Sequence, residues 1–150
     1  MDERGWTGQP SQPEIFRAGI QFEACPIDST MRVLGKKWTM LVLRDVGLRR
    51  VNRFNRLLES IDGITPRILS RRLRELEMYG FIERAEEKDS PKIVQWALTG
   101  KGRDALPVLL QLVIFGSKWQ AKDVFKDKKP RSPAELFEPN ALAMFRLSNQ

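Results

Sequence analysis

The sequence predicts a mainly α-helical fold with one small β-hairpin, an α+β class. Two observations support it: apolar residues recur at helical spacing in successive segments between residues 28 and 121, and strand character is confined to residues 81–84 and 93–98 apart from a short stretch at residues 50–51. We expect one domain over residues 23–121, a partly disordered N-terminal arm over residues 1–22, and a C-terminal tail over residues 122–150 with a short helix at 139–147.

Three short helices are predicted before residue 61. Asp28 or Ser29 can cap the first helix, which ends near Gly35. The second carries an apolar stripe that begins at Trp38 and recurs at helical spacing over its next two turns. The third follows Asn52, which can serve as its cap, and a tight turn over residues 61–64 ends it.

The next predicted helix is the most informative segment, because both of its ends are marked. Thr65 can cap it, Pro66 suits its first position, and Gly80 can take the left-handed conformation that ends it. Its apolar side carries Ile68, Leu69, Leu73 and Leu76, and its polar side carries Arg67, Ser70, Arg71 and Arg74. Alone, the arginine side is most simply a solvated basic surface, although a helix of this width also fits the DNA major groove.

The second half of the domain is predicted to contain a hairpin and a long helix. Residues 81–84 and 93–98 pair as strands around a charged turn at residues 86–91. Thr99 then caps a helix over about residues 100–121. Ile114 and Phe115 extend the apolar face of this helix beyond what one small domain covers.

Positive charge is concentrated in one part of the chain. The 150 residues contain 26 lysines and arginines and 19 acidic residues, a formal net charge of +7 with a pI near 9.9. Residues 36–74 hold eleven of the basic residues and three of the acidic ones, so this segment is +8 and the remainder is slightly acidic. Such a distribution is typical of a surface that binds a polyanion.

Composition excludes several classes of function. The chain has no histidine and one cysteine, Cys25, which removes imidazole catalysis, Ser-His and Cys-His nucleophiles and most zinc sites. We therefore expect no enzyme, no cofactor and no metal. No apolar run reaches the length of a membrane span and the first residues do not resemble a signal peptide, so we expect a cytoplasmic protein without a membrane partner.

The predicted elements follow the order of a winged helix-turn-helix. Two helices are joined by a turn that contains glycine, the second helix is basic, and a charged hairpin comes after it. From Cys25 to Trp119 the sequence also resembles the HxlR-type family of bacterial and archaeal winged-helix transcriptional regulators, which is related to MarR-like regulators. The matching pieces are Cys25-Pro26-Ile27, Gly35-Lys36-Lys37-Trp38, Arg53-Phe54-Asn55-Arg56-Leu57, residues 64–82, Leu98-Thr99-Gly100-Lys101-Gly102 and Leu106-Pro107.

The resemblance implies a homodimer, formed through the first and last helices, that binds a pseudo-palindromic double-stranded DNA operator. Arg56 departs from the family pattern, because an acidic residue is usual at its position. That change adds positive charge and removes a partner for an internal ion pair. The N-terminal arm and the C-terminal tail are also longer than is typical of the family.

DNA-binding residues are predicted on three elements. The basic helix offers base contacts from Arg67, Ser70 and Arg71, with Thr65, Pro66 and Arg74 beside them. Two groups are assigned to backbone phosphate: Arg53 and Arg56 at the third helix, and Lys88 and Lys92 at the hairpin.

The role of Cys25 has two interpretations. The resemblance implies a sensor, because several family members detect oxidants or electrophiles with a cysteine just before the first helix. The alternative is a small apolar residue packed under the dimer interface. With one cysteine per chain, sensing requires a bridge between subunits, a mixed disulfide or alkylation by an electrophile.

Together these observations predict a sequence-specific DNA-binding transcription regulator, a repressor, whose effector is a small molecule or an oxidant. A winged-helix module for protein–protein contacts in the transcription machinery is the alternative, although the +8 segment argues against it. A nucleic-acid enzyme would need a carboxylate or metal-ligand cluster, and Asp45, Glu59 and Asp62 lack that spacing.

Overall fold

A computed structural model of the chain describes residues 20–87 and 90–141, and it describes their side chains except those of residues 86–92. The elements in order are α1 (Pro26–Leu34), α2 (Thr39–Gly47), α3 (Phe54–Ser60), α4 (Pro66–Met78), β1 (Ile82–Glu87), β2 (Ser90–Leu98), α5 (Gly100–Trp119), α6 (Ala121–Val124) and α7 (Pro133–Leu136). The predicted class is confirmed: helices dominate, and the two strands form one antiparallel hairpin.

The hydrophobic core lies between α2, α3, α4, α5 and the start of the hairpin. The leucine side of α4 is buried as predicted, with Leu69, Leu73 and Leu76 almost fully excluded from water. They pack with the buried residues Val42, Leu43, Leu57, Ile61 and Ile82. Burying one side of α4 in this way leaves its opposite side at the surface.

The predicted starts of α4 and α5 and the predicted end of α4 are confirmed. The hydroxyl oxygen of Thr65 accepts a hydrogen bond from the Ile68 amide at 3.3 Å, and that of Thr99 accepts one from the Gly102 amide at 3.1 Å. Gly80 follows α4 with φ at +77°, the left-handed conformation that ends the helix. α5 ends at Trp119, two residues before the predicted end.

The caps of α1 and α3 differ from the predicted ones. The N-cap of α1 is Cys25 instead of the predicted Asp28 or Ser29, and the helix begins at Pro26, a residue that suits a first helical position. The N-cap of α3 is Arg53 instead of Asn52. Asn52 is committed to the hairpin: its amide donates to Gln95 Oε1 at 3.0 Å, and its carbonyl accepts from the Trp96 amide at 2.8 Å.

The turn between α3 and α4 contains Gly63 with φ at +80°, as its glycine predicted. A Cβ atom at this position would lie 3.3 Å from the ring of Trp38. The turn therefore needs glycine both for its backbone conformation and for its contact with the residue before α2.

The hairpin strands are longer than predicted, since β1 continues to Glu87 and β2 begins at Ser90. Arg84 pairs with Trp96 in the register, which shifts between Glu86 and Glu87. The start of α5 is tightly joined to the base of this hairpin: a Cβ atom on Gly102 would lie 2.0 Å from the Phe81 carbonyl oxygen.

Most of the predicted N-terminal arm, and the predicted helix at 139–147 beyond residue 141, lie outside the described residues. Within the described part of the chain, none of the helices is long and apolar enough to cross a membrane. The same residues contain no cluster of cysteine and acidic side chains that could hold a metal ion.

Candidate nucleic-acid interface

The outward side of α4 presents its arginines to solvent. Arg67, Arg71 and Arg74 are exposed, and 70% of the Arg71 side chain is accessible. Thr65 and Pro66 are exposed at the start of the helix, whereas Ser70 is half-buried. The N-terminal half of α4 therefore presents an exposed basic surface on a helix whose other side is buried in the core.

Glu75 contacts three basic side chains on and beside α4. Its carboxylate accepts hydrogen bonds from Arg71 Nε at 3.3 Å and Arg72 Nη1 at 2.7 Å, and it lies 3.2 Å from Lys36 Nζ. Burial raises the pKa of the Glu75 carboxyl, but the hydrogen bonds and positive charges of Lys36 and Arg72 outweigh burial and hold the pKa below its usual range.

Arg72 is directed away from the exposed side of α4. Its Nε donates to the Lys37 carbonyl at 2.9 Å, and only 14% of its side chain is accessible. Arg72 thus joins α4 to the segment between α1 and α2. Lys36 adds a second link between the same segment and α4 through its ion pair with Glu75.

The residues predicted to contact phosphate on α3 are exposed. Arg53 stands at the N-cap of α3 and Arg56 lies one turn further along. Arg56 Nη1 is 3.4 Å from Glu59 Oε2, so the unusual arginine at this position has an acidic partner on its own helix. Both members of that pair are largely accessible, so we expect it to contribute little to stability.

Three adjacent hollows connect α3 with α4. The first, which we call the α3 cleft, has a volume of about 570 Å³ and is lined by residues 49–53 with Arg56, Glu59 and Ser60. The second, about 550 Å³, lies between residues 53–56 and residues 93–94 of the hairpin. The third, about 220 Å³, is lined by Phe54, Ser70, Leu73, Arg74, Arg84 and Trp96.

On the hairpin, Arg84 is an exposed basic side chain within the described residues. This side chain lies over the Trp96 ring, 5.1 Å from its centroid, and its Nε is 3.1 Å from Glu77 Oε1. Of the two predicted wing lysines, Lys88 lies outside the described residues, and Lys92 lies on β2 with a side chain that is not described.

Sequence reasoning missed the part that Arg49 and Arg50 play in the α3 cleft. Both were counted in the basic segment, but no motif or periodicity distinguished them from other surface charges. The only signal available from sequence was their position directly before the third helix, beside Arg53.

Cys25 lies apart from these residues, at the N-cap of α1, where its side chain is half-buried. Its carbonyl accepts the first helical hydrogen bond, from the Ser29 amide at 3.0 Å. The exposed residues Ile27 and Met31 follow on the same helix.

A basic helix that follows a glycine turn and precedes an antiparallel hairpin defines a winged helix-turn-helix protein. Residues 33–124 match the model of the HxlR-like helix-turn-helix family, and the chain therefore belongs to that family. It is a transcriptional regulator with a helix-turn-helix domain.

Individual relatives agree with this assignment. The uncharacterized HTH-type transcriptional regulator sll1512 of Synechocystis is 37% identical over 95 residues, which cover 63% of this chain and 70% of the relative. The structure of a possible HxlR family transcriptional factor from Thermoplasma volcanium matches with a TM-score of 0.55 and 35% identity, over 68% of this chain and 92% of that one. The structure of the redox regulator HypR in its oxidized form matches with a TM-score of 0.53 and 32% identity, over 61% of this chain and 94% of that one.

Proposed function

We propose that this regulator binds double-stranded DNA sequence-specifically, as a repressor, with α4 in the major groove. The observation that carries the proposal is the two-sided character of α4, whose leucines are buried while Arg67, Arg71 and Arg74 are exposed. Because the core fixes the helix, its guanidinium groups can meet base edges without first ordering the element that carries them.

Base contacts are assigned to the N-terminal half of α4, and phosphate contacts to its neighbours. Arg67, Ser70 and Arg71 are the proposed base-contacting residues, with Thr65, Pro66 and Arg74 beside them. Arg53 and Arg56 of α3 and Lys88 and Lys92 of the hairpin are the proposed phosphate ligands. This division agrees with the general use of helix-turn-helix elements, in which phosphate contacts set the position of the helix that specifies sequence.

We propose a homodimer formed through α1 and α5. Both helices expose apolar side chains that the described part of the chain leaves uncovered, including Ile27, which is 72% accessible, and Trp119, which is 67% accessible. A symmetric dimer would place two copies of α4 in successive major grooves, about 34–36 Å apart, on a pseudo-palindromic operator.

We further propose that Cys25 senses oxidants or electrophiles. Its support is the half-buried position at the start of α1, the proposed dimer helix, together with the likeness to the redox regulator HypR. The other interpretation, a packing residue under the dimer interface, uses the same position and differs in its response to oxidant.

The test of DNA recognition is Arg71→Ala, measured by gel shift after a duplex pool of random sequence has yielded a bound operator. We expect the variant to lose about 1–3 kcal/mol of discrimination per half-site, because one base contact is removed. Its affinity for unrelated DNA should change much less.

Arg53→Ala is the matched control, since a phosphate contact should weaken specific and non-specific binding together and reduce the salt dependence. An unchanged ratio of specific to non-specific affinity in Arg71→Ala would contradict the assignment of α4. Failure of the wild-type protein to bind any duplex at two salt concentrations would instead favour a protein–protein module.

A further inference from the structure

We propose that the α3 cleft is a phosphate-binding site that extends the DNA contact beyond α3, with Arg49 and Arg50 as ligands in addition to Arg53 and Arg56. This inference rests on the proposed function, because the phosphate it assigns is that of a duplex whose major groove α4 occupies.

The charge of the α3 cleft favours an anion. Four arginines line it, and the acidic residue among its lining side chains, Glu59, already pairs with Arg56. A hollow of about 570 Å³ is larger than one phosphate requires and can admit a short length of sugar–phosphate backbone. Guanidinium groups bind phosphate through paired, charge-assisted hydrogen bonds.

Hydrogen bonds to Ser60 and to the buried Asp45 hold the Arg49 side chain in place. Its Nη1 donates to Ser60 Oγ at 2.7 Å and to Asp45 Oδ1 at 3.4 Å, and Asp45 is fully buried. Arg44 Nε also donates to Asp45 Oδ1, at 2.7 Å. Since a guanidinium has five donors, these contacts fix the orientation of Arg49 while leaving other N–H groups available to a ligand.

Asp45 and Arg50 each have an unusual feature beside the α3 cleft. Asp45 Oδ2 is buried with no hydrogen-bond partner among the described residues. Arg50 has φ at +55°, in the left-handed region that is uncommon for residues other than glycine. Strained backbone conformations cluster at ligand-binding sites, and an unsatisfied buried polar group in a native structure calls for an explanation.

The position of the α3 cleft favours DNA over a free anion as the source of phosphate. The cleft shares Arg53 and Arg56 with the second hollow, and the second shares Phe54 with the third, which Ser70 and Arg74 of α4 line. Each of the three hollows includes at least two arginines, so arginine side chains follow one another from α4 to the α3 cleft and can accompany the backbone of a bound duplex.

The test compares Arg50→Gln and Arg49→Gln on two operator duplexes, one that ends at the half-sites and one that continues past them. On the longer duplex we expect the slope of log K against log[salt] to fall by about 0.9 per protomer, with about fivefold weaker binding near 0.15 M salt. On the shorter duplex we expect both variants to bind like the wild-type protein.

Lys126→Gln is the matched control, because it also removes one exposed positive charge but lines none of the three hollows. It should leave both duplexes unaffected. Arg50 is exposed and makes no hydrogen bond or ion pair with other described residues. The melting temperature of Arg50→Gln should therefore match that of the wild-type protein, and this comparison separates a binding effect from misfolding.

An unchanged salt slope for Arg50→Gln on the longer duplex would overturn the inference. A second arm uses inorganic phosphate: stabilisation of the wild-type protein but not of Arg50→Gln, with DNA slopes unchanged, would assign the cleft to a free anion and overturn the DNA source. Operator binding by the wild-type protein and loss of specificity in Arg71→Ala would support the proposed function whatever the result for the α3 cleft. If the wild-type protein binds no duplex, both the proposed function and this inference are contradicted.

Discussion

Cys25 lies at the start of α1, one of the two helices assigned to the proposed dimer interface. It caps α1 through its backbone, and its thiol is half-buried beside a helix that exposes Ile27 and Met31. A sensor at this position would act on the arrangement of the two subunits, because its modification changes the volume and polarity of that surface.

We expect a mild thiol oxidant to release the wild-type protein from its operator and to leave Cys25→Ser bound. As the chain has one cysteine, the oxidised form must be an intersubunit disulfide or a mixed disulfide with an added thiol. Gel shift follows release, non-reducing electrophoresis and mass measurement identify the product, and a reductant should restore binding. Equal release of Cys25→Ser would leave the packing interpretation as the correct one.

At the scale of elements, α4 is held by the segment that joins α1 to α2 as well as by the core. The Lys37 carbonyl accepts from Arg72, Lys36 lies beside Glu75, and Trp38 rests against Gly63 in the turn before α4. These contacts fix α4 and the turn before it relative to the segment that follows α1, the helix at which the proposed interface begins.

Glu75→Gln should lower stability near neutral pH and have little effect in acid. The pKa of Glu75 lies below its usual range in the folded protein, so its contribution is present above the unfolded-state pKa and is lost as pH falls through the folded-state pKa. We expect a loss of about 1–2 kcal/mol at pH 7, because charged hydrogen bonds are removed.

Urea unfolding of both proteins at pH 7 and at pH 3 measures this difference. Glu59→Gln is the control, since its pair with Arg56 is exposed on both sides and should contribute at most about 1 kcal/mol. A gap between wild type and Glu75→Gln that does not shrink in acid would contradict the role given to the carboxylate.

Local elements were predictable and pairings across the chain were not. Thr65, Pro66 and Gly80 marked the ends of α4 because capping depends on residues within one turn, and the spacing of Leu69, Leu73 and Leu76 identified its buried side. The contacts of Arg72 with Lys37 and of Arg49 with Ser60 depend on how helices pack, which no local pattern specifies.

Two small errors of prediction have the same origin. Asn52 has the side chain of a good cap, but tertiary contacts with Gln95 and Trp96 hold it at the hairpin and leave the cap position to Arg53. The α3 cleft was not predicted because its arginines converge only when the residues before α3 fold beside Glu59 and Ser60.

At the scale of the whole molecule, α1 and α5 expose apolar side chains that the described part of the chain leaves uncovered. Those on α5 include Leu112, Phe115 and Trp119. Exposed apolar surface, when it forms a large patch, commonly marks an association site. The paired α4 helices of the proposed DNA complex depend on this surface, although it carries none of the proposed DNA ligands.

Phe115→Glu should convert the protein to a monomer, because a charge would be placed in an apolar interface. Analytical ultracentrifugation measures the mass, and gel shift should give a large loss on the full operator but wild-type affinity for an isolated half-site. Met78→Glu is the matched control, since Met78 is also exposed but lies at the end of α4. A Phe115→Glu dimer of wild-type stability would place the interface elsewhere.

The close approach of Gly102 to the Phe81 carbonyl has a consequence for which operators a dimer can read. The Thr99 amide donates to the same carbonyl at 3.1 Å, and Lys101 Nζ donates to the Tyr79 carbonyl at 2.7 Å, so the first turn of α5 is fastened to the residues that directly follow α4. In the proposed dimer, a change in the tilt of α5 relative to the α5 of the other subunit would therefore move both α4 helices. The number of base pairs between half-sites would then be set by the crossing angle of two helices far from the bases.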